Sequence, residues 1–172
     1  KNSTIDNIGD ADNAASVDSP ACFDKEKGGY IEDCIPSDSP SHSIGTVLFG
    51  LDGSLYVGTG EGSHFEFLDK RAGRAQNLNA LSGKILRVNP ENGEGLPDNP
   101  FYSGNPQDNQ SRVWDYGLRN PFRFTQNPDS GEIIIGDVGW NLWEEINTGR
   151  GNNFGWPCFE GAADGNLPQP GF

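Results

Sequence analysis

A chain of 172 residues with a net charge of −13, 33% hydrophobic residues and 24 glycines has room for one domain with a sizeable core, and its composition favours strands and loops. Its 12 Lys and Arg are scattered among 25 Asp and Glu, which excludes a nucleic-acid partner because phosphate neutralisation needs clustered cations. No stretch approaches the ~18 consecutive apolar residues of a membrane helix, and the acidic surface suits cations such as calcium as well as it suits plain solubility.

Residues 1–41 are rich in Asp, Ser, Asn and Gly without apolar periodicity and read as an irregular acidic arm. Lys1 onward lacks the charged-then-apolar pattern of a signal peptide, so the chain reads as an internal piece of a longer protein. Cys22 and Cys34 bracket a Gly-Gly loop and are placed to close a local disulfide, whereas Cys158 has no evident mate. This cysteine usage favours an exported protein, secreted or periplasmic. No CxxC pair exists and His42 and His64 stand far apart, so zinc is not indicated.

The ordered domain, 42–172, begins with "TVLFGLDGSLYVGTG", two apolar runs about an Asp52-Gly53 turn, the form of a β-hairpin. Leu48, Leu86 and Phe124 recur at equal intervals, and the last two are followed in register by "NPENG" and "NPDSG". A repeat of about 40 residues built from short strands and Gly-rich turns points to β-propeller blades. Three repeats predict about half of a ring; a β-sandwich with similar turns is the alternative. Helical signal is almost absent, since "RAGRAQNLNAL" (71–81) carries Gly73 and two asparagines and supports a turn or two at most.

Four segments hold residues able to do chemistry. His42, in "SPSHSIG", is a candidate proton acceptor, though a lone loop histidine is more often a surface hydrogen-bonding residue. Arg119 and Asn120, with Pro121 restricting the backbone, suit a planar, oxygen-rich anion, although a salt bridge explains Arg119 as simply; Arg123 is expected to face solvent. "GDVGWNLWEEIN" (136–147) turns at Gly139, where carbonyls together with Asp137, Glu144 or Glu145 are oxygen ligands of the kind calcium prefers. "NNFGWPCFEG" (152–161) gathers Phe154, Trp156 and Phe159, as loop packing or as a stacking surface.

Taken in order, "HSIGTVLFGLDGSLYVGTGEG", "LSGKILRVNP", "GEGLPDNPF", "YGLRNPFRF", "GDVGWNLWEEIN" and "NFGWPCFEG" closely resemble the glucose/sorbosone dehydrogenase family, over roughly residues 40–161. The resemblance implies an all-β, partial six-bladed propeller that uses pyrroloquinoline quinone (PQQ) and calcium to oxidise an aldose at C1. It implies His42 as the catalytic base, Arg119 and Asn120 as cofactor contacts, the carbonyls of Gly139 and Trp140 as calcium ligands, and Glu145 in a second, structural calcium site. Ser41 stands where these enzymes commonly carry an acidic residue beside the histidine, so the sequence names no carboxylate to orient the imidazole. The expected partners are a sugar and an electron acceptor, with a homodimer or further domains of the parent chain also allowed. The competing reading is a secreted, non-enzymatic propeller resembling the hedgehog-interacting protein, which binds protein or carbohydrate.

Overall fold

The computed structural model describes residues 22–36, 41–64 and 70–161, and their strands form three antiparallel sheets. Strands β1 (Phe23–Asp24) and β2 (Gly29–Tyr30) make a two-stranded hairpin inside the loop closed by the Cys22–Cys34 disulfide. The part of the acidic arm that is described is therefore a pinned hairpin; the rest of that arm lies outside the described residues. Cys158 is exposed and its thiol is free.

A four-stranded sheet follows, in the order β3 (Ile44–Phe49), β4 (Leu55–Thr59), β5 (Lys84–Val88), β6 (Val113–Tyr116). The expected hairpin joins β3 to β4: Gly53, at φ 80°, donates to the Gly50 carbonyl, and Asp52 Oδ1 accepts from both Ser54 N and Oγ. The third sheet is β7 (Pro121–Gln126), β8 (Ile133–Asp137) and β9 (Glu145–Gly149).

The two larger sheets pack on each other. Tyr56, Ile85 and Trp114 of the four-stranded sheet form one buried cluster with Phe124, Ile133 and Ile135 of the three-stranded sheet and with Leu118 between them. Burying each of these large side chains stabilises the fold by roughly 1.5–3 kcal/mol. Thr46 Oγ1 donates to the Phe122 carbonyl at 3.3 Å and Leu51 N to Gln126 Oε1 at 2.8 Å, tying the first strand of one sheet to the first strand of the next. The arrangement resembles part of a β-propeller.

One expectation is corrected. Leu48 lies on β3 and Leu86 on β5 of the same sheet, while Phe124 lies on β7 of the next. Successive repeats are thus not successive sheets: beside the small hairpin, the described residues supply one four-stranded and one three-stranded sheet. The turns themselves are alike: Gly93 N donates to Asn89 O and Asn89 N to Glu94 O, as Gly131 N does to Asn127 O and Asn127 N to Glu132 O. The periodicity records this shared turn chemistry on strands of different rank.

Segment 71–81 opens as a 3-10 helix, Lys70–Gln76. Its end is held by Lys84, wholly buried, whose ammonium donates to the carbonyls of Arg74 (3.0 Å), Ala75 (2.8 Å) and Ser82 (2.7 Å). Three carbonyl acceptors for three donors make this burial tolerable, although desolvation still draws the lysine pKa well below its usual range.

Candidate functional site

His42 sits in the turn before β3 with φ 52°, a left-handed conformation that a non-glycine residue adopts only at a cost. Its ring is buried, and Nδ1 lies 2.5 Å from Glu61 Oε1. Glu61, fully buried just past β4, also accepts from Ser63 Oγ (2.6 Å) and Ser63 N (2.9 Å). In a neutral imidazole a carboxylate at Nδ1 selects the Nδ1–H tautomer and puts the lone pair on Nε2, the arrangement a general base requires. Gly60 is what permits it: a Cβ there would come within 2.2 Å of the His42 carbonyl oxygen.

The missing orienting carboxylate is therefore supplied across the hairpin and not from position 41. Ser41 has another task, donating Oγ–H to the Ser63 carbonyl at 2.9 Å and so joining the His42 turn to the Glu61 loop. Glu61 lies outside the candidate residues that the sequence offers. The available signal was a carboxylate set among glycines in "GTGEG", directly after a strand with no reason to bury a charge.

Glu61 also connects the histidine to the Arg-Asn segment, because its backbone N–H donates to the Arg119 carbonyl at 2.9 Å. Asp137, at the end of β8, accepts from Arg119 N at 3.0 Å and Asn120 N at 2.6 Å, so one carboxylate clamps the main chain of both residues. Burial pushes Asp137 up to about 7 against these two hydrogen bonds. The guanidinium of Arg119 is buried, lies over the Trp156 ring at 5.5 Å, and donates Nη1–H to the carbonyls of Gly139 (2.8 Å) and Val138 (3.1 Å). Desolvation lowers its pKa, opposed by the charges of Glu61, Asp137, Glu160 and Glu144. Arg123 is exposed and stacks on Phe122, as expected.

The turn after β8 is organised by a residue the sequence did not single out. Glu160 is buried, and its carboxylate accepts from four consecutive amides: Trp140 N, Asn141 N at 3.0 Å, Leu142 N at 3.3 Å and Trp143 N at 3.5 Å. Glu144 Oε2 accepts from Gly139 N at 3.0 Å. A side chain at 139 would collide with the Trp143 carbonyl, 1.6 Å from its Cβ, so only glycine closes this turn. The Trp140 ring packs on Ala72, Ala75 and Trp156, against the 3-10 helix that Lys84 anchors.

The structure thus links His42, Arg119, Asn120 and Gly139 through Glu61 and Asp137. Glu145 stands apart on β9, opposite Asp137, with its carboxylate accepting from Gly161 N and from Asn147 Nδ2 at 3.0 Å. Among the described residues no group of three or more His, Cys, Asp or Glu is placed to hold a metal ion. Asp137, spent on two amides, is not aimed outward as the ligand that the sequence allowed. A hard cation at the 139–140 turn would rely on main-chain carbonyls, and the Gly139 oxygen keeps a second lone pair beyond its bond to Arg119.

Donors for an oxygen-rich planar anion are present. Of the Arg119 fork only Nη1 is engaged among the described residues, and the buried Trp156 Nε1–H beneath it has no partner there. A buried donor without an acceptor is costly unless something outside supplies one.

Comparison with known proteins places these features. The glucose / sorbosone dehydrogenase family model matches residues 27–166. The chain is 34% identical over 139 residues to the HIPL2 protein of Arabidopsis thaliana, covering 72% of this chain and 19% of that protein. It is 32% identical over 118 residues to the aldose sugar dehydrogenase YliI of Escherichia coli, covering 68% of this chain and 29% of that one. Among solved structures, the PQQ-bound form of the aldose sugar dehydrogenase from Streptomyces coelicolor superposes with a TM-score of 0.60 and 36% identity, over 73% of this chain and 33% of that one. The chain spans between a fifth and a third of the length of these relatives. It belongs to the glucose/sorbosone dehydrogenase family.

Proposed function

We propose that the complete protein is an extracytoplasmic, PQQ- and calcium-dependent dehydrogenase that oxidises an aldose at C1, with this chain forming part of a six-bladed propeller. The observation that carries the reading is the buried His42–Glu61 pair, hydrogen-bonded through the Glu61 amide to the segment that holds Arg119.

PQQ supplies the hydride acceptor and calcium the Lewis acid. His42 Nε2 takes the proton of the C1 hydroxyl as the C1 hydrogen departs with its electron pair, and the aldose becomes its lactone. Glu61 holds Nδ1–H throughout and stabilises the imidazolium that the proton transfer creates. Arg119 and Asn120 would hold the cofactor oxygens, with their backbone kept in place by Asp137 and the Trp156 ring lying under the guanidinium. The main-chain carbonyls of Gly139 and Trp140 would supply oxygen ligands to calcium, on a turn whose amides Glu160 keeps occupied. Glu145 would serve a second, structural calcium.

Two features favour a propeller without chemistry, the lack of an acidic residue directly before His42 and the extra Cys22–Cys34 loop; Glu61 at Nδ1 offsets the first and leaves the second standing. The HIPL2 protein and the aldose sugar dehydrogenase YliI match at similar identity, so an activity measurement decides. The test is dye-linked oxidation across an aldose panel by the complete protein loaded with PQQ and calcium. Turnover of at least one aldose is expected; none, with the cofactor demonstrably bound, would leave the binding-module reading in its place.

A further inference from the structure

Outside this site, the disulfide-pinned segment is hydrogen-bonded to Asn109, in the 3-10 turn before β6, and a groove opens between it and the chain at Asn77 and Asn79. We infer that this groove is a binding subsite for a neutral oligosaccharide, formed between the hairpin and the turn that follows the 3-10 helix Lys70–Gln76.

The groove has a volume of about 470 Å³, within the ordinary range for small-ligand sites. On the hairpin side it is lined by Phe23 and Tyr30, whose rings meet edge to face at 5.4 Å. Opposite stand the exposed Asn77 and Asn79, with Glu32 and Asp108 completing the polar lining. Aromatic rings offer flat apolar surface to the C–H face of a pyranose, while carboxamides and carboxylates match its vicinal hydroxyls, donor to acceptor. Two acidic side chains and, among the described residues, no cation in the lining turn away anionic ligands.

The walls are fixed before any ligand arrives. Buried Asn109 spends its carboxamide on both walls of the groove: Oδ1 accepts from Asp33 N at 3.0 Å and Arg112 Nη1 at 3.2 Å, and Nδ2 donates to Ile31 O at 3.0 Å and Asn79 O at 2.8 Å. The Cys22–Cys34 bond closes the hairpin at its base. Gly28 and Gly29 at the hairpin turn put no side chain into the space, so the opening is built in and costs little ordering on binding. A second groove of about 640 Å³ shares Gly29, Tyr30 and Glu32 with the first, giving a chain of sugar units a way to run on past Tyr30.

The test is a nuclear magnetic resonance titration of the full chain, following the side-chain amides of Asn77 and Asn79. Cellotetraose, xylotetraose and maltotetraose are the neutral probes, trigalacturonate the anionic one, and a Lys- and Arg-rich octapeptide the competing class. Saturable shifts with at least one neutral tetrasaccharide are expected and none with trigalacturonate. Affinity should fall at least about tenfold in Tyr30→Ala and in Asn79→Ala, and be retained in Tyr30→Phe. Asn79 is exposed, so its variant reports even if Tyr30→Ala does not fold. No response to any neutral probe, shifts that persist at full affinity in Asn79→Ala, or binding of the peptide in place of the sugars would each overturn the assignment. None of these readouts depends on a quinone.

Discussion

Replacing Glu61 by Gln keeps the shape of the side chain and removes its charge at the one point where the histidine, Ser63 and the Arg119 segment meet. Three hydrogen bonds converge on the carboxylate, from His42 Nδ1, Ser63 N and Ser63 Oγ. A glutamine has only one acceptor oxygen, so at least one of these donors loses its partner. A bond to a charged, buried group contributes roughly 1.5–3 kcal/mol. If the loss falls on the imidazolium that forms during proton transfer, kcat drops about 10- to 150-fold with little change in KM. The same amount taken from the folded state lowers Tm by ~3 to 12 °C for a domain of this size. The assay needs no cofactor at its first stage: nitrogen-15 shifts of the His42 ring should report Nδ1–H in the unmodified chain and a mixture or reversal of tautomers in Glu61→Gln. Activity of the complete protein is then compared with and without the substitution. An Nε2–H tautomer in the unmodified chain, or unchanged tautomer and unchanged kcat in the variant, would refute the reasoning.

Asp115 is wholly buried on β6, accepts from Asn152 N at 2.8 Å, and leaves Oδ2 without a partner among the described residues; burial pushes its pKa up to about 7. With the folded value above the unfolded one, the contribution of Asp115 to stability is fully present below about pH 4 and is lost as pH rises through about 7. Asp115→Asn should flatten that part of the slope and raise the chemical-denaturation midpoint at pH 8; an equal or lower midpoint contradicts this. Lys84→Met leaves three carbonyls without their donor and should cost at least about 3 kcal/mol, with hydrogen exchange speeding first at Gly117 N, which is bonded to Ala75 O. Protection unchanged there would show that the lysine does not hold the 3-10 helix. Glu160→Ala strips the acceptor from four consecutive amides and should release exchange at Trp140 to Trp143 while β7 to β9 stay protected.

How much of this was legible beforehand differs by kind of contact. The β3–β4 hairpin was readable because Asp52-Gly53 and the alternation around it act locally, and the Cys22–Cys34 pairing because a short loop brings its own ends together. Family motifs pointed to His42, Arg119 and the Gly139 turn. The pairing of the residues that orient them is harder to read: Glu61 is 19 positions from His42 and Glu160 is 20 from Trp140, and while "GTGEG" marks Glu61 as unusual, no local pattern names the partner that only the folded chain brings near. Residue type alone offers Asp137, Glu144 or Glu145 as oxygen ligands beside the turn, while the position of Asp137 at the end of β8 turns it onto the Arg119 and Asn120 amides. The repeat misled in a related way. It detects similar turns and is blind to strand rank, so β3 and β5 of one sheet counted as two units.

The central claim is that His42 accepts the substrate proton, and it is tested most directly by single-turnover aldose oxidation in the complete, cofactor-loaded protein with and without His42→Ala. The account predicts that the variant still binds PQQ and calcium and that its oxidation step slows by about 10²- to 10⁴-fold, the usual worth of a general base. An oxidation rate equal to that of the unmodified protein, with the cofactor equally bound, would contradict it.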